Sequence, residues 1–342
     1  MKIVVDIYGG DNAPEATVGG ALYALEKSEG FDLVLVGKQK EIEKLLEGKT
    51  YDKNRISIVD AQDVISCNES PTEAIRTKPE SSIVKSVKIL REDPEAKAFV
   101  SAGSTGAVLT AAVVMTKRIK GLNRPALAPT FPTMTGGEVM LLDCGANVDC
   151  KPINLLQFAV MGSVYMREVY DIDRPRVALL SNGTEDAKGS ALTKEAFALL
   201  KNAENINFVG NMEARDILFG DYDVVVADGF CGNIALKSIE GTAKCIMGSL
   251  KREIKASKMA KLGALFMKKS LYNLKNLLDY NKKGGAVLLG MENVVVKAHG
   301  SSKADAFGNA ILQAYGACGI DVSEQIRVEL EKLDMQKSGG VE

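Results

Sequence analysis

Histidine occurs once among the 342 residues, as His299. Zinc sites that need several imidazoles are therefore excluded, and serine–histidine chemistry has a single candidate base. Cysteines stand at 67, 144, 150, 231, 245 and 318, with no CxxC pair and no metal-type spacing. They read as reduced residues packed as small apolar groups. No apolar run approaches the ~18 residues needed to cross a bilayer. The opening MKIVVDIYGG reads as a first strand, too short and too soon charged for a secretory signal, so a cytoplasmic location is expected. Nucleotide motifs are missing as well. Leu46-Glu-Gly-Lys-Thr50 resembles the end of a P-loop, but Glu43 stands where the first glycine belongs. Gly103-Ser-Thr-Gly106 lacks the G-x-G-x-x-G spacing of a dinucleotide site.

What is present is a regular alternation. Strand-like runs fall at 2–6, 32–36, 56–59, 97–100, 138–142, 176–180, 206–209, 223–227, 286–289 and 293–297. Helical periods lie between them, at 14–28, 38–48, 81–92, 105–119, 152–170 and 187–203. That order predicts an α/β fold, a doubly wound, mostly parallel sheet in a three-layer α/β/α sandwich. With 46% apolar residues the chain can bury a large core, and no Pro/Ser/Gly-rich linker or internal repeat divides it. One domain is expected over residues 1–333, followed by a polar, frayed tail at 334–342.

Residues 238–282 break the rhythm and predict a projecting helical hairpin. Ile239, Ala243, Ile246, Leu250 and Ile254 share one helical face, Met267, Leu271, Leu274 and Leu278 another, and Gly263 marks the expected turn. Charge is concentrated here. Residues 244–283 hold 11 Lys/Arg against Glu253 and Asp279, a local charge of +9 in a chain whose net charge is −1. A basic segment on an otherwise acidic protein asks for a partner. Two readings are compatible: apolar stripes that pack on each other and on a second subunit, and in addition an exposed tip (Leu262, Leu265, Phe266) rimmed by Lys258, Lys261, Lys268 and Lys269 that touches a membrane surface.

Six of the strand-like runs end in turns of glycine and small polar residues: Tyr8–Pro14, Ser101–Ala107, Asp143–Asn147, Ser181–Asp186, Asp228–Asn233 and His299–Ser302. In a parallel α/β sheet such loops gather on one edge, where ligands bind. Glycine allows close backbone approach, and a following helix offers its positive N-terminus to an anion. The Ser101–Ala107 turn suits phosphate, or is a plain connection with Ser104 or Thr105 as helix cap. Asp228 could orient a substrate, act as a base or cap a helix, and Asn233 could donate to an oxyanion. Arg215 could clamp an anion or pair with Glu213 or Asp216 on the surface.

Together these segments resemble the bacterial phosphate acyltransferases of phospholipid synthesis. The resemblance covers nearly the whole chain. It rests on Asp6-Ile-Tyr-Gly-Gly-Asp-Asn-Ala-Pro14, Ser101–Ala107, Leu141–Asn147, Gly210-Asn-Met-Glu-Ala-Arg-Asp216, Asp223–Phe230 with Gly232-Asn233, and Lys297-Ala-His-Gly-Ser-Ser302. Ser104 and Ala214 depart from the pattern, where asparagine and glycine are usual. The resemblance implies that inorganic phosphate attacks the thioester of a long-chain acyl group on acyl carrier protein, with no cofactor, no metal and no nucleic-acid partner. It also implies a homodimer with a fold similar to phosphotransacetylases and the isocitrate dehydrogenase group. The enzyme would lie on the inner membrane face and hand its product to a membrane-bound glycerol-3-phosphate acyltransferase. In such an enzyme Ser101, Gly103, Ser104, Thr105 and Gly106 would cradle phosphate. Asp228 and Asn233 would shape the reacting centre, and Lys297 and His299 would offset charge. Asp11, Asn147, Arg215, Gly229, Gly232, Gly300 and Ser301 complete the expected binding set. Rival readings are a phosphotransacetylase acting on acyl-CoA, a hydroxy-acid dehydrogenase, and a non-catalytic membrane-recruited scaffold.

Overall fold

The structure, a computed structural model, describes residues 1–278 and 284–339. Asp279, Lys282 and Lys283 of the basic segment, and residues 340–342 of the expected tail, lie outside the described residues. All ten expected strands form, and two further strands of three residues each join them. In chain order the strands are β1 Lys2–Asp6, β2 Asp32–Gly37, β3 Ile56–Asp60, β4 Ala96–Ser101, β5 Ala126–Ala128, β6 Thr130–Pro132, β7 Glu138–Leu142, β8 Val177–Ser181, β9 Phe208–Glu213, β10 Val224–Val226, β11 Gly285–Leu289 and β12 Val294–Ala298. The helices are α1 Glu15–Lys27, α2 Gln39–Leu46, α3 Pro71–Thr77, α4 Ser82–Glu92, α5 Thr105–Met115, α6 Pro152–Tyr170, α7 Ala191–Lys201, α8 Gly229–Ala256, α9 Lys258–Phe266, α10 Lys268–Leu278, α11 Ala304–Cys318 and α12 Val322–Gly339.

The α/β class and the mostly parallel pairing hold, but the strands divide between two sheets. One has the order β3-β2-β1-β4-β12-β11-β5 and the other β6-β7-β10-β8-β9. Only the pairs β12/β11, β11/β5 and β6/β7 are antiparallel. The sheets meet where the chain passes from β5 to β6: Cys144 N–H donates to Leu127 O at 2.9 Å and Leu141 N–H to Pro129 O at 3.1 Å. One apolar cluster continues under both, from Ile3 and Val5 through Phe158 to Val177 and Val224. The central strands β1, β10 and β12 are short runs of β-branched residues buried on both faces, as a helix-covered parallel sheet requires. Helix α6 comes especially close: a Cβ on Gly162 would stand 2.6 Å from Val224 Cγ1.

The expected hairpin is a three-part arm. Helix α8 begins at Gly229, nine residues earlier than its apolar period announces, and runs for 28 residues. Gly263 lies inside α9; the breaks fall at Ser257, whose hydroxyl accepts from the Ala260 N–H, and at Met267. A glycine costs a helix only about 1 kcal/mol, so a competing cap decides the boundary. Helix α12 carries the backbone as far as Gly339, through residues expected to fray.

Candidate active site

Five of the six glycine turns converge on one cavity of 530 Å³ at the junction of the two sheets. The Ser181–Asp186 turn does not line it. The first wall is three loops laced together through backbone. Gly9 packs so tightly that a Cβ would stand 2.5 Å from Gly103 N, and one on Gly10, at φ +100°, would stand 2.8 Å from Gly300 O. Asp11 N–H donates to Gly300 O at 2.8 Å, and Asn12 Nδ2 donates to Ser301 O and Ser302 O. Beneath them lies Asp6, fully buried, whose carboxylate accepts from the Tyr8 N–H at 3.1 Å and the Ser101 hydroxyl at 2.6 Å. Burial pushes the Asp6 carboxyl up, against the hydrogen bonds of Ser101, Ser82 and Tyr8. Ser101 therefore sits below the cavity rather than in its wall.

Above it, Ala102, Gly103, Ser104, Thr105 and Gly106 line the cavity. Ser104 occupies the N-cap position of α5, but its hydroxyl makes no capping bond. The first turn of α5 thus lines the cavity with its opening amides uncapped by a side chain, an arrangement suited to an anion. Across from them stands Lys297, buried to 8% exposure on β12, with Nζ bonded to Ala298 O at 2.5 Å and 3.4 Å from Ala102 O. Burial pushes the Lys297 ammonium down to about 8, partly offset by Cys67, Asp6 and Asp11.

The opposite wall comes from α8. Asn233, Leu236, Lys237 and Glu240 all line the cavity, at the i, i+3, i+4, i+7 spacing of one helical face. Glu240 is 6% exposed; it accepts from Lys237 Nζ at 3.1 Å and lies 3.7 Å from His299 Nε2. Burial works to raise the Glu240 carboxyl, but His299 and Lys237 outweigh it and hold the group below the usual range. On its other edge His299 Nδ1 accepts from the Ser301 N–H at 3.2 Å and lies 2.9 Å from Ser301 Oγ.

Several expected site residues stand elsewhere. Asp228 caps α8, accepting from the Phe230 and Cys231 amides at 3.0 and 2.9 Å, and does not line the cavity. Gly229 and Gly232 let that first turn pack on the β7 loop: Cβ atoms there would stand 2.6 Å from Asn147 O and 1.9 Å from Asp143 O. Asn147 is buried, its side-chain amide donating to Pro125 O and to Asp143. Arg215 is exposed and paired with Glu213 at 2.5 Å. Ser301 touches His299 but not the cavity. Asp11, Gly103, Ser104, Thr105, Gly106, Asn233, Lys297, His299 and Gly300 are brought together in the wall. Lys237 and Glu240 went unread in the sequence. Their spacing from Asn233 on the helix that follows the Asp228–Asn233 turn was the available signal.

The chain matches the family described as "Fatty acid synthesis protein" over residues 1–325. It is 45% identical over 339 residues to a phosphate acyltransferase from Clostridium perfringens (strain SM101 / Type A), across 98% of this chain and 99% of that one. It is 46% identical over 336 residues to one from Bacillus cereus (strain G9842), across 98% and 100%. The chain belongs to the phosphate acyltransferase family. It is therefore an acyltransferase. Its fold is similar to that of a phosphotransacetylase from Streptococcus pyogenes, at a TM-score of 0.58 and 18% identity over 93% of this chain and 94% of that one. Cys144 also lines the cavity, and burial pushes its thiol well above the normal range. No group of three or more metal-ligating side chains occurs among the described residues.

Proposed function

We propose that this chain transfers a long-chain fatty acyl group from the thioester of acyl carrier protein to inorganic phosphate, giving acyl phosphate for phospholipid synthesis. The observation that carries this reading is the pairing, across one cavity, of the open α5 N-terminus and its hydroxyls with buried Lys297 and the lone histidine. Phosphate held there needs no enzyme nucleophile. One phosphate oxygen forms a bond to the thioester carbonyl carbon, the carbonyl oxygen takes up charge, and the C–S bond then breaks. The proton of hydrogen phosphate ends on the departing thiol. Ser104, Thr105 and the α5 amides would orient phosphate. Lys297 would offset its charge, Asn233 would donate to the oxyanion, and His299 would carry the proton in transit. Leu109, Leu127, Phe131 and Leu236 supply the apolar lining beside the reacting centre.

The arm supports the choice of carrier and of location. Met259 is 77% and Phe266 82% exposed, with Leu262 and Leu265 also open, and Lys258, Lys261, Lys268 and Lys269 are exposed around them. A basic apolar surface fits an acidic carrier protein and an anionic membrane face. The same surface leaves room for a homodimer contact and for delivery to a membrane-bound glycerol-3-phosphate acyltransferase. No helix among the described residues is long and apolar enough to cross a membrane.

The test is release of free carrier-protein thiol from acyl carrier substrate, with and without phosphate, and the same measurement with acyl-CoA. Phosphate-dependent release from the carrier substrate in preference to acyl-CoA is expected. Preference for acyl-CoA would move the assignment to a phosphotransacetylase-like enzyme, and absence of phosphate dependence would overturn both.

A further inference from the structure

We propose that Glu240 is a positioning residue that fixes the orientation and tautomer of His299 and offsets its charge during proton transfer. The inference rests on the role given to His299 above. Its geometry stands apart from the anion site: Glu240 comes from the fourth turn of α8, His299 from the end of β12, and they meet across the cavity at 3.7 Å.

Three observations converge on this role. Glu240 is a buried carboxylate on a helix whose other buried positions are Gly229, Gly232, Ala235 and Ala243. A lone carboxylate at such a position carries a desolvation cost of several kcal/mol unless it is compensated, and the two groups beside it, Lys237 and His299, both stand at the cavity. The second observation is the other edge of the imidazole. Nδ1 accepts the Ser301 N–H, so the neutral ring must carry its hydrogen on Nε2, the atom facing Glu240. The third is the distance. At 3.7 Å the contact is longer than a hydrogen bond, the looseness that catalytic contacts show before substrate arrives and tightens them.

The chemistry follows. With Nε2–H directed at Glu240, the basic atom is Nδ1, which shares the Ser301 hydroxyl. As the C–O bond forms, the Ser301 N–H gives up the Nδ1 lone pair that it holds in the resting structure, and the proton of hydrogen phosphate passes to Nδ1. The ring, now cationic, is held against the Glu240 carboxylate, and the same proton goes to sulfur when the C–S bond breaks. Lys237 keeps Glu240 ionised and gives the carboxylate a second anchor.

A single histidine makes the test direct, because every imidazole nitrogen signal of a histidine-labelled sample belongs to His299. In the wild-type chain the neutral ring is expected almost wholly as the Nε2–H form. In Glu240→Gln that form is expected to lose its dominance. The kcat for phosphate-dependent thiol release should fall about 10–100-fold, the range for removing a histidine's partner, with the KM for phosphate changed less than threefold. A kcat within twofold of wild type, or an unchanged tautomer, would overturn the proposal. Glu240→Asp retains the charge at a longer reach and should lie between the two, so a misfolded glutamine variant still leaves a decisive measurement: Asp at wild-type kcat and tautomer overturns the role. The failure of the underlying reading looks different. Wild-type activity in His299→Ala removes His299 itself, whereas loss there with full activity in Glu240→Gln removes only Glu240.

Discussion

The Ser101 hydroxyl donates to the buried carboxylate of Asp6 at 2.6 Å and accepts from the Gly103 N–H at 3.0 Å. One hydroxyl thus joins the ends of β1 and β4 and ties down the loop at 102–106 that leaves the sheet there. Ser101→Ala leaves the carboxylate short of a partner and the loop untethered. Thermal or denaturant unfolding should show a loss of about 1–3 kcal/mol, with a raised KM for phosphate. An unchanged KM would show that the loop is held by its backbone contacts alone.

Lys297 predicts two pH dependences of opposite sign. Burial lowers it to about 8 from 10.5, so between those values the unfolded chain binds more protons than the folded one. The cost of burying the ammonium is complete below pH 8 and is relieved as pH rises toward 10.5, so this group makes stability rise with pH there. Phosphate binding follows the reverse course, because the cation is lost. The kcat/KM for phosphate should fall above pH 8, by about tenfold per unit at the limit for one ionisation. Lys297→Arg, whose charge persists, should move that limb upward. A wild-type profile flat to pH 10 would exclude Lys297 as the anion's cation.

Asp228→Ala removes the α8 cap without touching the cavity. The expected loss is about 1 kcal/mol of stability, with kcat within a few-fold of wild type. A kcat loss of several hundredfold in a folded variant would return Asp228 to the reacting centre.

Two glycines on α8 should respond in opposite directions. Gly232→Ala drives a Cβ to 1.9 Å from the Asp143 carbonyl oxygen and should cost about 3 kcal/mol, the upper end of overpacking effects. Gly241 has no atom within 4 Å of its Cβ position, so Gly241→Ala should stabilise by about 0.5–1 kcal/mol. Denaturant midpoints of the two variants provide the comparison.

The arm predicts membrane recruitment. Each apolar side chain fully buried in lipid contributes about 1.5–3 kcal/mol, so changing Leu262, Leu265 and Phe266 together to polar residues should abolish flotation with anionic liposomes. Phosphate-dependent release from a soluble carrier substrate should survive. Unchanged flotation would assign the exposed tip to a protein partner.

The strands were legible because most are short apolar runs and six of them close in turns of glycine and small polar residues, a pattern that has few other physical solutions. β5 and β6 were not: each has three residues, they are separated by Pro129, and they form because β11 and β7 are there to pair with them. The convergence of the turns at 8–14, 101–107 and 299–302 also followed from topology, since parallel strands send their loops to one edge. What each polar residue does there was decided elsewhere. Asp228 reads as an acid at a strand end, yet the helix that starts at Gly229 claims its carboxylate. Asn147 reads as a ligand, yet Pro125 O and Asp143 take its amide. Lys237 and Glu240 carry no local motif at all.

The sequence by itself determined the α/β class, the loops that gather at the sheet edge, and the family, because these depend on local periodicity and on the wording of short segments. Only the tertiary structure decided that two sheets meet at one cavity, that Ser101 supports its floor, and that α8 sets Glu240 against His299. Those relations join residues 59 to 95 positions apart. Burial and hydrogen-bond competition act on such residues only after the chain has folded.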